Sequence, residues 1–151
     1  MSPRVYRLLP AVAAGLFGLA VGLGVYTFGY ARGASYLTND PAACANCHIM
    51  NEHYDAWLKS SHRAVAVCND CHAPKDFIGK YYVKATNGFW HSVRFTTGRF
   101  PDPLTIRGHN QTVTEATCRH CHAPLVEAME AHGGQETSCV RCHLHVGHWV
   151  R

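Results

Sequence analysis

The pattern Cys-x-x-Cys-His occurs four times, at Cys44 to His48, Cys68 to His72, Cys118 to His122 and Cys139 to His143, and these motifs use all eight cysteines. Two thiols at this spacing can form thioethers to the vinyl groups of a porphyrin, and the His that follows reaches the iron from the same side. The chain is therefore expected to bind four covalent haem c groups. They attach through Cys44 and Cys47, Cys68 and Cys71, Cys118 and Cys121, and Cys139 and Cys142. His48, His72, His122 and His143 are the default iron ligands.

Zinc is the rival chemistry. Twenty residues separate Cys47 from Cys68 and seventeen separate Cys121 from Cys139, so each half of the chain also fits the spacing of a four-cysteine zinc ribbon. A ribbon gives no reason for a His directly after the second Cys of every pair, and all four pairs have one. A disulfide framework leaves the same histidines unexplained.

The elements that must position these motifs are few. A chain of 151 residues allows one domain of ordinary size. From Leu8 to Ala31 there is no charged residue, enough for one helix to cross a hydrocarbon core of about 30 Å. Gly29-Tyr30-Ala31 resembles a signal-peptidase site, but the apolar stretch is longer than the roughly 7–15 residues of a signal sequence, which favours an uncleaved anchor. Arg4 and Arg7 precede the stretch, so the N-terminus is expected in the cytoplasm and the haem domain in the periplasm of a bacterial inner membrane protein. Gly18-x3-Gly22 has the form of a helix-packing seam, which raises self-association as an expectation, against the frequency of such matches in Gly- and Ala-rich spans.

Residues 1–33 are thus read as cytoplasmic end and anchor, and 34–151 as a tetrahaem domain. Within it, 44–72 and 118–148 form two di-haem units around an insert, 73–117. Cys-His-Ala-Pro recurs at Cys71 to Pro74 and Cys121 to Pro124, which suggests duplication. The expected fold is mainly α with little regular structure. Short helices are expected within Asn51 to Ser60, from an Asn51 cap through Trp57 and Leu58, and over Leu125 to His132 before Gly133-Gly134; no stretch alternates for long enough to commit to a sheet. The apolar residues of the domain look too scattered for a large core, and four haem plates would supply one. The insert mixes Phe77, Tyr81, Tyr82, Phe89 and Trp90 with Lys80, Lys84 and Arg94. That composition suits the bilayer interface, or equally a surface helix packed on haem. The net charge of +4 is spread along the chain, and no nucleic-acid motif is present.

Of twelve histidines, eight lie outside the iron-ligand position of a motif. His62, on a Ser60-Ser61-His62 turn before the second motif, and His148, near the end of the chain, are the candidates for second iron ligands. His53, His132 and His145 stand equally well as surface residues, and His120, inside its own motif, reads as solvated.

Together these residues carry a resemblance. Ser35-Tyr36-Leu37, Asp40-Pro41, the first motif with Met50-Asn51, Ser61-His62, Lys84-Ala85, His91-Ser92 and His148 resemble the small tetrahaem subunits of cytochrome c nitrite reductases, within the NapC/NirT family of membrane quinol dehydrogenases. The resemblance covers nearly the whole chain. It implies that menaquinol or ubiquinol is oxidised at the membrane and that electrons pass to a periplasmic multihaem nitrite reductase. The alternatives are the same role for another periplasmic reductase, or a tethered electron shuttle with no quinol site. By resemblance Met50, in place of His48, ligates the first iron, His62 and His148 serve as distal ligands, one haem can borrow a ligand from a partner, and Lys84 lines the quinol pocket. Relatives can place a carboxylate near the first haem. Here none lies between Asp76 and Asp102, and His91 takes the neighbourhood, as proton acceptor or as iron ligand.

Overall fold

A computed structural model describes residues 3–131 and 138–148. The chain forms two compact units, Met1–Ser35 and Tyr36–Arg151. Helix α1, Pro3–Tyr30, dominates the first. Its 23 residues Leu8–Tyr30 have a mean hydropathy of 2.1 and none of that window is buried within the protein, so the helix is long and apolar enough to cross a bilayer.

In the second unit the described residues contain helices and turns and no strand. Two 3-10 turns, Pro41–Asn46 and His48–Met50, lead into α2, Asn51–Leu58. Helix α3 is Cys68–His72, α4 is Phe77–Thr97, α5 is Gly108–Cys121, α6 is Ala123–Ala131 and α7 is Cys139–Cys142. Two boundaries differ from the sequence reading. Asn51 is the first residue of α2 and Met50 its cap, because the preceding 3-10 turn already directs the chain into the helix. Helix α6 begins at Ala123, where the backbone N–H groups of Leu125 and Val126 both donate to His122 O; its expected stop at His132 to Gly134 lies outside the described residues.

The insert holds the longest helix of this unit, 21 residues without a break. Asp76 starts α4 by accepting from Gly79 N at 2.7 Å, and a Cβ at position 79 would come within 2.5 Å of that carboxylate, so glycine lets the cap close. Gly98 ends the helix in the left-handed region, φ 66°. Val83 buries against the domain, and the Asn87 and Asn110 amides exchange two hydrogen bonds of 3.2 Å that tie α4 to α5. Asn87→Ala leaves the Asn110 amide without this partner and is expected to cost about 1–3 kcal/mol. A lowered thermal midpoint of the haem-loaded protein, followed by circular dichroism, checks this.

Packing elsewhere is thin. The buried side chains of the described residues are Ala43, Ala73, Val83, Val113, Thr114 and Thr117, and no large side chain among them is fully buried. Phe77, Ile78, Tyr82, Phe89, Leu125, Met129 and Leu144 are exposed. A polypeptide of this size ordinarily hides residues of that kind, and the described residues build no such core from their own side chains.

Candidate functional site

Three of the four motifs are helical turns. The second is α3 itself, the third ends α5 and the fourth is α7, so the thiols of each pair stand one turn apart on one helical face. In the third and fourth motifs the His closes the turn identically, with His122 N donating to Cys118 O and His143 N to Cys139 O, both at 2.9 Å. The first motif is built from 3-10 turns instead. Asp40 accepts from Ala42 N at 2.9 Å, Cys47 is extended, and His48 and Met50 share one short turn closed by Met50 N to Cys47 O at 2.8 Å. His48 is exposed there and Met50 half-buried. The Tyr36 hydroxyl lies 3.6 Å from Cys47 Sγ, and burial with that contact pushes the phenol up to about 12.

Contacts between motifs follow the order of the chain. Asn69 Nδ2, inside the second motif, donates to Thr38 O and to Asn39 Oδ1, both at 3.2 Å, on the segment that enters the first motif. Thr117 Oγ1 donates to Cys71 O at 3.1 Å, joining the third motif's helix to the second motif although 46 residues separate the pair. Glu115, also on α5, accepts from Cys139 N at 2.8 Å and Val140 N at 3.2 Å. Among the described residues no cysteine is in a disulfide, and no three His, Cys, Asp or Glu side chains gather as a cluster that could hold a single metal ion. Thiol pairs each followed directly by an imidazole fit covalent haem.

The imidazoles supply the second test of fit. His62 and His122 have ring centroids 6.2 Å apart, and His72 and His148 are 6.0 Å apart with planes inclined by 15°. Two imidazoles sharing one metal ion, at bonds of about 2 Å, place their centroids roughly 6 Å apart. His62 sits in a turn closed by Val65 N and Ala66 N on His62 O, and the Trp57 indole reaches Ala66 O at 3.1 Å. Ser61 Oγ lies 3.2 Å from His62 Nδ1, leaving Nε2 as the free ligating atom. Burial, reinforced by His72 and His53, pushes His148 down to about 4, and burial likewise lowers His72. Both rings are thus neutral at physiological pH, the form that can ligate iron. The Nδ1 atoms of His53 and His148 are buried without a hydrogen-bond partner, and the two rings lie 5.0 Å apart. His120, His143 and His145 are exposed.

Helix α4 carries Lys84 and His91 on one face, seven residues apart. Lys84 Nζ donates to Thr38 O at 2.6 Å and stands 5.6 Å from the Tyr81 ring centroid; Asn69 Nδ2, within the second motif, donates to the same carbonyl at 3.2 Å. The ammonium is therefore held beside the segment that enters the first motif, and its pKa is lowered by partial burial and by Lys80. His91 is open to solvent, yet the protein around it and the Arg107 guanidinium lower its pKa, which keeps the ring neutral and able to accept a proton. A cavity of about 370 Å³ lined by Pro74, Asp76, His109, Val113, Thr117 and His120 includes neither residue. Sequence reasoning missed Glu115, Thr117 and Trp57, whose partners lie too far along the chain for any local pattern to show.

The sequence matches the NapC/NirT cytochrome c family, N-terminal region, over residues 9–151. It is 36% identical over 145 residues to the cytochrome c-type protein NrfH of Wolinella succinogenes, covering 88% of this chain and 82% of that protein. To the cytochrome c nitrite reductase subunit NrfH of Nitratidesulfovibrio vulgaris it is 32% identical over 130 residues, covering 83% and 78%. A chain in the crystal structure of the cytochrome c nitrite reductase NrfHA complex bound to the HQNO inhibitor superposes with a TM-score of 0.59 at 32% identity, over 87% of this chain and 88% of that one. With a match that runs from the apolar helix to the last residue, the chain belongs to the NapC/NirT cytochrome c family and carries covalently bound haem c.

Proposed function

We propose that this protein is a membrane-anchored tetrahaem quinol dehydrogenase that passes electrons from menaquinol or ubiquinol to a periplasmic multihaem nitrite reductase. Helix α1 anchors it once in the cytoplasmic membrane, with residues 34–151 outside as two di-haem units, 44–72 and 118–148, around the insert 73–117. Bound haem supplies a one-electron iron couple at each of the four sites. The attachment cysteines are Cys44, Cys47, Cys68, Cys71, Cys118, Cys121, Cys139 and Cys142. Met50 takes the first iron in place of His48, and His72, His122 and His143 take the others from the motif side. The 6.0 Å and 6.2 Å ring separations support His148 as the partner of His72 and His62 as the partner of His122.

The observation that carries the quinol reading is the Lys84 ammonium, held 2.6 Å from Thr38 O, six residues before Cys44, on a helix face shared with His91. In this reading Lys84 orients a quinol oxygen and His91 takes its proton towards the outside. Oxidation of one quinol releases two protons and two electrons. The nitrite reductase partner is supported by the likeness to NrfH chains and to a chain of the NrfHA complex.

The test uses the full-length protein in membrane vesicles. Added quinol is expected to reduce its haems, HQNO to block that reduction, and the native complex to co-purify with a multihaem nitrite reductase. Haems that quinol leaves oxidised would reduce the protein to a tethered shuttle, and co-purification of a different reductase would replace the acceptor. Intact mass is expected to show the N-terminus uncleaved and four haem masses added. A chain beginning near Arg32 would remove the anchor, and a smaller increment would break the count.

A further inference from the structure

We propose that Glu115 is the positioning residue of the fourth haem-binding motif, fixing that motif to the helix that carries the third and placing a negative charge between the two. The inference rests on the four-haem reading.

The first two motifs receive their carboxylate caps locally. Asp40 serves Ala42 N, two residues on, and Asp70 serves Val67 N from inside the second motif. The fourth motif is held differently. Its attachment turn is only Cys139–Cys142, too short to be stable alone, and the cap residue Ser138 makes no capping bond of its own. Glu115 supplies what is missing from another element. Oε2 accepts from Cys139 N at 2.8 Å and Oε1 from Val140 N at 3.2 Å, while Ser138 Oγ donates to Oε1 as well. These bonds span 23 to 25 residues.

The base of this grip is firm. Glu115 stands on α5 between the buried Thr114 and Thr117, and Thr117 is bonded to Cys71 O. The carboxylate is thus fixed relative to the second and third motifs before it meets the fourth. Burial alone would raise its pKa, but the bonds from Ser138, Cys139 and Val140 outweigh burial and lower it, so the charge is present at neutral pH. A fixed negative charge stabilises oxidised over reduced iron nearby and lowers its potential. One side chain therefore sets both where the fourth motif stands and how readily the haems beside it accept electrons.

Three variants of the full-length protein separate these effects, read by intact mass and by spectroelectrochemical titration. Glu115→Gln keeps an acceptor oxygen and removes the charge; it is expected to retain four haems and to shift at least one midpoint potential upward. Glu115→Asp keeps the charge and shortens the reach; it is expected to yield a distinct population one haem short. Glu115→Ala should show both changes. A Glu115 that merely braces the fold would leave the midpoints of the fully loaded fraction unmoved, so unshifted midpoints in Glu115→Gln overturn the charge role. Complete four-haem loading in both Glu115→Asp and Glu115→Ala overturns the positioning role. A wild-type chain with no haem on Cys139 and Cys142 would refute the four-haem reading, and this proposal with it.

Discussion

Replacing His62 with alanine is expected to convert one haem of the four from low to high spin, and replacing His148 to convert a different one. Each change deletes one imidazole of a facing pair, at 6.2 Å from His122 and 6.0 Å from His72 respectively. Nothing else should move far, because the turn that carries His62 is closed by its own backbone bonds and by the Trp57 indole, none of which uses the imidazole. Attachment should survive, since it depends on thioethers, and intact mass should still give four haems. Electron paramagnetic resonance and visible spectra read the outcome as about a quarter of the haem signal turned high-spin in each variant. The His148 variant contains a trap. His53 lies 5.0 Å from His148, close enough to replace it, so His148→Ala is best compared with the double variant His53→Ala/His148→Ala. Spectra unchanged in all three proteins would refute both assignments.

The second large effect concerns the quinol end. Lys84→Ala removes a charged donor, which is worth roughly 1.5–3 kcal/mol and so roughly a 10- to 100-fold loss in kcat/KM for quinol, with haem content intact. His91→Ala removes a general base and is expected to slow oxidation roughly 100-fold. The pH profile distinguishes base from ligand. Burial and the Arg107 guanidinium lower the His91 pKa, so the ring is neutral and competent at pH 7 and takes up a proton at lower pH than an ordinary histidine. The wild-type rate should therefore fall as pH drops through that lowered pKa, and His91→Ala should lose this acid limb. A His91 that ligates iron would instead change the spin state of the first haem when removed. Normal rates in both variants would place the quinol pocket elsewhere and leave α4 as a helix packed on haem.

How far the sequence could be read depended on the range of each signal. The haem motifs are complete within five residues, and the anchor is a single uncharged run, so both were legible at once. Asn51 to Leu58 was legible as a helix because its pattern is local, although the cap moved to Met50 when a 3-10 turn intervened. Helix α4 was legible only in pieces. The insert read only as an interfacial segment or a surface helix, and neither the Asp76 cap nor the Gly98 stop was singled out, because two glycines and a dense run of aromatics obscured one continuous helix between them. The packing of the second motif against the third was not legible at all. It depends on Thr117 meeting Cys71 O, a hydroxyl and a carbonyl that no periodicity marks. Glu115 was hidden for the same reason, since its partners are backbone groups whose sequence identity is irrelevant to the bond.

The scarcity of buried side chains has a consequence for how this protein comes into being. Among the described residues the largest buried side chains are valine and threonine, which offer little to collapse onto before the cofactors are attached. Folding and haem attachment are then expected to be coupled, with the chain still open when the porphyrin is attached. A cell short of iron should hold little of the haem-free form in reserve, because proteases act on open chains.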